Sequence, residues 1–185
     1  ATSCEKFLHT EPGDFVVPEQ YYSNEQQLNE ALAGVYSSLT ELSTYGLFMS
    51  FYLVAGTDEG FYKNTSSVPH PANYNIAVSE PKINNTWNTL YDGINRANNL
   101  LANIDMPVMD EQKRNVIKGE ALFLRAFMYF HLVSQWGDVP MLLEPTVDSR
   151  KVNNPATPSK AIYEQILQDM KAAKDLVNDY ATNGT

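Results

Sequence analysis

One stretch constrains the rest of the chain more than any other. Residues 121–133 read Ala-Leu-Phe-Leu-Arg-Ala-Phe-Met-Tyr-Phe-His-Leu-Val, apolar on almost every side. A helix without a polar face has to sit inside other structure. The spacing predicts that Asp110 caps this helix, with Val116, Glu120, Leu124, Phe127 and His131 along it and Trp136 at its end. Gly137 is a natural residue just past a helix C-terminus, and Pro140 forbids resumption. Such a helix needs amphipathic neighbours.

The sequence supplies them. Ser23, with Gln26 three residues on, has capping-box spacing. Leu28, Ala31, Leu32, Val35, Leu39 and Leu42 then recur at helical intervals. A short apolar helix is expected over residues 47–55, closed by Gly56, Thr57, Asp58, Glu59 and Gly60. Another helix is expected from about Asn84. Trp87, Leu90, Tyr91, Ile94, Ala97, Leu101 and Ile104 share one face of it; Asn88, Asn95, Asn99 and Asn103 lie mostly on the other, and Pro107 stops it. Ser159 is read as the cap of a last helix, with Ile162, Ile166, Met170, Ala173, Leu176 and Val177 as its buried stripe. Residues 1–22, 60–82 and 144–158 carry the prolines and no period, and read as irregular. The expected fold is all-α, about five helices in antiparallel pairs. Only residues 141–143 suggest a short extended stretch.

Composition removes several functions. Apolar residues make up 43% and charged residues 19%, which is not the balance of a disordered tail. A net charge of −9 argues against nucleic acid, whose phosphates need a basic face. One cysteine excludes an internal disulfide and a cysteine-rich zinc site, and three histidines without ligand spacing give no histidine metal centre. No cofactor is expected. No stretch approaches the roughly 18 apolar residues of a membrane span. The chain is rich in tyrosine, with 11, an amphipathic residue suited to interfaces and sugar-facing surfaces as well as to helix packing.

The helices also carry a degenerate tetratricopeptide pattern. Trp87, Leu90 and Ile94 match the first helix of that repeat; Gly119, Phe123 and Ala126 match the second. The helix from Ile162 to Leu176 resembles another first helix without its second. The expectation is a repeat array incomplete at its C-terminal end, the front of a longer protein.

Four segments in order resemble the SusD/RagB family of outer-membrane nutrient-binding lipoproteins of Bacteroidetes. They are Cys4-Glu5-Lys6-Phe7-Leu8 with Pro12; Trp87, Leu90, Tyr91, Ile94, Ala97, Asn98 and Leu100; Gly119 to Pro140, with Leu124-Arg125-Ala126, Tyr129-Phe130 and Trp136-Gly137-Asp138-Val139-Pro140; and Ile162, Tyr163, Ile166, Asp169, Met170 and Ala173. The third is the most specific. The resemblance implies a tetratricopeptide-like fold over residues 23–185, after an anchor-proximal segment 1–22. It implies a surface-exposed, non-catalytic protein that captures oligosaccharides, in some members peptides, for a SusC-like TonB-dependent transporter. It also makes Cys4 the lipidated residue that ties the protein to the outer membrane.

Within the third segment, Arg125 needs an acceptor, because an unpaired buried charge is costly. Asp138 is a possible one. Arg125, Trp136, Gly137, Asp138 and Pro140 are read as holding the fold, Trp87 as core, and His131 as a satisfied core histidine. For ligand contact the expectation falls on the 60–82 loop, where Tyr62, Asn64, His70, Asn73 and Tyr74 combine rings for stacking with amides for hydroxyl groups. Two other readings stay open: a helical-repeat protein that binds a peptide or protein, and a glycoside hydrolase. For the latter, the adjacent Asp58 and Glu59 diverge rather than face one bond, and no converging carboxylate is recognisable.

Overall fold

The computed structural model describes residues 21–52, 54–59, 79–146 and 154–183. Four long helices carry the fold. The first, α1, spans Glu25–Thr40. Its N-cap is Asn24, whose side chain accepts the Gln27 N–H at 3.0 Å. The expected cap, Ser23, lies one residue earlier and gives its N–H and hydroxyl to Gln27 Oε1 at 2.8 and 2.9 Å. The cap is therefore shifted by one residue, and the return bond of Gln27 goes to Ser23 rather than to the cap itself; Asn caps as well as Ser. Leu28, Leu32 and Val35 are buried, whereas Leu42, expected on the same stripe, is 71% exposed because the helix has already stopped. The predicted helix over 47–55 is instead a π-helical turn, Phe48–Tyr52, and a 3-10 turn, Val54–Gly56.

The second long helix, α2, spans Pro81–Asn103 and starts earlier than the apolar period indicated. Pro81 occupies its first turn, where proline lacks only a hydrogen bond that no residue there could make. The end of the expected 60–82 loop thus belongs to a helix. Asp110 caps α3, Glu111–Trp136, by accepting the Lys113 N–H at 3.0 Å. Gly137 ends it with φ 73°, a conformation that costs glycine little.

The last helix, α4, spans Ser159–Asn183. Ser159 is not its cap. It lies in the first turn, and its N–H is accepted at 2.8 Å by Asp138 Oδ1 from just beyond α3. A carboxylate suits the positive end of a helix, so Asp138 locks the start of α4 to the end of α3.

Register follows from side chains. Gly119 faces Ala173 and Val177, and Arg125 faces Asp169, so α3 and α4 run antiparallel. Gly93 faces Met128 and Asn98 faces Arg125, so α2 and α3 do too. The third helix is central, as its composition required: it packs on α1, α2 and α4. Leu124, Ala126, Met128, Tyr129 and Leu132 are at most 1% exposed, beside Leu28, Leu90, Ile94, Leu100 and Ile162. Burying a Leu or Ile side chain contributes about 1.5–3 kcal/mol. One stripe of α3 still faces outward: Phe123 and Phe130 are nearly half exposed. No described helix is long and apolar enough to cross a membrane.

Candidate functional site: an aromatic and amide groove beside a strap

Between α3 and α4 the chain crosses the bundle as an extended strap over residues 140–146. Buried extended backbone normally finds its hydrogen bonds in a sheet. Among the described residues the neighbourhood offers one isolated antiparallel bridge, Val139 with Thr157. Side chains supply the other bonds. Tyr91 Oη–H donates to Pro140 O at 2.6 Å. Tyr129 Oη donates to Leu142 O at 2.8 Å and accepts the Leu142 N–H at 2.6 Å. Asn98 Nδ2 donates to Leu142 O and Glu144 O at 3.0 and 3.1 Å, and Asn95 Oδ1 accepts the Thr146 N–H at 2.8 Å.

Beneath the strap lies a buried ion pair. Arg125 Nε and Nη2 donate to Asp169 Oδ2 and Oδ1 at 2.8 and 2.9 Å. Its Nη1 donates to Asn98 Oδ1 at 2.9 Å. Gln165 Nε2 donates to Asp169 Oδ1 at 2.8 Å. Arg125 and Asp169 are 7% and 4% exposed, so the pair depends on this two-pronged geometry and its extra hydrogen bonds. Asp138, considered from the sequence as the partner of Arg125, is engaged at the start of α4 instead.

An open groove of about 550 Å³ runs along the strap. Trp87, Asn88, Tyr91, Asp92 and Asn95 form its α2 side; Pro140, Leu142 and Thr146 form the strap side, with Asn154 beyond. Positions 87 to 95 rise about 12 Å along the helix, room for a short oligomer rather than one small group. Trp87 is only half-buried. It meets Trp136 edge-on at 5.3 Å and Tyr91 at 5.0 Å, so the two partners brace its ring. Trp87, expected in the core, thus serves core and groove alike. Burial pushes the Tyr91 hydroxyl up, which keeps it a neutral donor to Pro140. Asn88, Asp92 and Asn154 have no side-chain hydrogen bond among the described residues, leaving two amides and a carboxylate for a ligand.

Tyr62, Asn64, His70, Asn73, Tyr74 and Cys4 lie outside the described residues. Pro140 forms part of the strap, and Gly137 and Asp138 join α3 to α4. His131 is not deep in the core. It is half-buried, its Nε2 lies 2.8 Å from Tyr45 Oη, and the Phe127 ring stands against it at 4.6 Å. Asp58 and Glu59 are exposed. Among the described residues no cluster of three or more His, Cys, Asp or Glu side chains is placed to hold a metal. Sequence reasoning missed the roles of Asn98 and Asp169. The available signal was a polar residue standing on an apolar stripe, next to Ala97 in α2 and beside Ile166 and Met170 in α4.

Antiparallel helices that present braced rings and uncommitted amides along one open side form a helical scaffold with an aromatic and amide groove, which has the chemistry of stacking and hydrogen bonding. The comparisons with known proteins make this particular. A family model, SusD-like, described as "Starch-binding associating with outer membrane", matches residues 6–183, and the chain belongs to that family. SusD-like protein P25 of Formosa agariphila is 31% identical over 182 residues, covering 93% of this chain and 34% of that protein. A SusD homologue from Bacteroides thetaiotaomicron superposes with a TM-score of 0.74 at 26% identity, over 86% of this chain and 31% of that one. A laminarin-binding SusD-like protein superposes at 0.66 with 28% identity, over 84% of this chain and 34% of its own. The chain spans about a third of the length of the curated relatives it matches.

Proposed function

We propose that this chain is the helical part of a cell-surface glycan-binding lipoprotein, which captures oligosaccharides and delivers them to a SusC-like TonB-dependent transporter. Binding is non-catalytic: rings stack on pyranose faces, amides and a carboxylate bond to hydroxyls, and the partner barrel does the transport. Cys4 carries the lipid that holds the protein on the outer membrane. The observation that carries the reading is the groove, where a braced Trp87 stands beside Asn88, Asp92 and Asn154. Family membership and a laminarin-binding relative support the ligand class. The expected loop residues Tyr62, Asn64, His70, Asn73 and Tyr74 remain candidates for further contacts.

Titration of the intact protein against starch, laminarin, xylan and polygalacturonate tests it. One of these is expected to quench Trp fluorescence. Replacing Trp87 and Tyr91 by Ala is expected to weaken that binding at least tenfold, with helical circular dichroism retained. No binding to any glycan, with binding to peptides, would favour a peptide-binding helical repeat.

A further inference from the structure

We propose that Asn98 is a positioning residue for the groove: held by the Arg125–Asp169 pair, it sets where the 140–146 strap lies and hence the width of the site. This rests on the reading of the groove as the ligand site. Asn98 is 2% exposed and touches no groove space, yet both ends of its amide are committed. Its oxygen accepts from Arg125, which fixes the rotamer and so the direction of the amide nitrogen. That nitrogen holds two strap carbonyls, Leu142 O and Glu144 O. Leu142, one of those two residues, and Thr146, two residues past Glu144, line the groove. Without a strand partner, the strap takes its position from these side chains. Tyr91 and Tyr129 hold the 140–142 end. Asn95 holds Thr146. Asn98 spans the middle with two bonds, where Arg125 Nη1 adds one long bond to Leu143 O at 3.5 Å. Asp169 sits on α4, so the chain of contacts ties the register of a distant helix to one wall of the site.

Asn98→Asp separates positioning from mere folding. A carboxylate still accepts from Arg125 but has no hydrogen to give, and it faces two carbonyl oxygens. Arg125 stays paired while the strap loses the two bonds that Asn98 gives it. The comparison is Val35→Ala, a core truncation on α1 away from the groove. Measurements on the intact proteins are amide hydrogen exchange at Leu142 and Thr146, affinity for whichever of starch, laminarin, xylan and polygalacturonate binds the parent, and the melting temperature. In Asn98→Asp, exchange at those two amides is expected to rise at least tenfold beyond the change elsewhere in the protein, and affinity to fall at least tenfold. In Val35→Ala, exchange should rise evenly and affinity should hold. Uniform exchange in Asn98→Asp, or a local rise with unchanged affinity, overturns the positioning role. If the parent binds none of the four, the groove reading is what fails, and uniform or local exchange still decides whether Asn98 sets the strap. Should Asn98→Asp not fold, Asn98→Leu, which removes both strap bonds while Arg125 keeps Asp169, replaces it under the same criteria.

Discussion

Arg125 is the charge that an otherwise apolar helix segment cannot bury alone, and its environment decides what its loss would do. Removing Asp169 strands a guanidinium that is 7% exposed, with only neutral acceptors left. Breaking a buried pair from one side costs about 3–5 kcal/mol, so Asp169→Ala is expected to lower unfolding free energy by that order in denaturant titration. Arg125→Met together with Asp169→Leu, which leaves no stranded charge, should cost less than Asp169→Ala alone. The need for a partner was readable from Arg125 in its apolar run; the partner's identity was not. Asp138 is close in sequence, but only the antiparallel register of α3 and α4 brings Asp169 opposite. His131 gives a second test at this scale. Burial lowers its pKa, and as the neutral ring it can accept from Tyr45 Oη. Its folded value is below its unfolded value, so its contribution is present above the unfolded pKa, near 6.5, and is lost as pH falls through the lowered one. The melting temperature is therefore expected to drop on acidification below about pH 6.5, and His131→Gln should flatten that part of the profile. A profile unchanged by the substitution would show that other groups set it.

At the scale of the elements, the helices were legible where apolar period and caps coincided and less so where they parted. Asp110 and Gly137 stand at the two ends of α3, as their chemistry required. The start of α2 was misplaced because Pro81 and Lys82 precede the first apolar-stripe residue, so the period says nothing about that turn. The start of α4 was misattributed because its capping carboxylate comes from Asp138, which no local window can see. Glycine shows how closely the elements meet. A Cβ on Gly119 would lie 2.8 Å from Val177 Cγ2 and 3.2 Å from the Ala173 carbonyl oxygen. The sequence matched Gly119 to the second helix of the repeat, and the structure packs it against α4. Overpacking of this kind costs about 1–3 kcal/mol. Gly119→Ala is expected to fall in that range by thermal or denaturant unfolding. Because the closest atom belongs to a side chain, Val177→Ala should recover part of the loss, leaving a residue from the backbone oxygen. Equal losses in both backgrounds would mean that the helices shift apart rather than that Val177 is the obstacle.

At the scale of the whole molecule, the family was legible as a sequence pattern before any candidate site was. Motifs from Trp87 to Pro140 gave the family, and the structure shows those same residues building the strap and the wall behind it. The groove itself was not readable, since it needs α2 and the strap side by side, which depends on Asn98 and Tyr129 reaching across. A last expectation concerns where the molecule sits. With a net charge of −9 it gains nothing from anionic membrane surfaces, and no described helix can span a bilayer. The proposed role assigns membrane residence to a lipid at Cys4, independently of these features. A single acyl chain binds only marginally, so stable residence calls for more than one chain on that residue. Fractionation of cells should place the native protein in the membrane pellet, released by detergent and not by high salt, because the attachment is apolar. Cys4→Ser should move it to the soluble fraction while leaving glycan affinity of the purified protein unchanged, since the groove lies on α2 and the strap. Mass spectrometry of the native N-terminal peptide closes the test: an unmodified Cys4, or Ala1 still attached to the mature protein, would remove the anchor from the proposal and leave the glycan site to stand by itself.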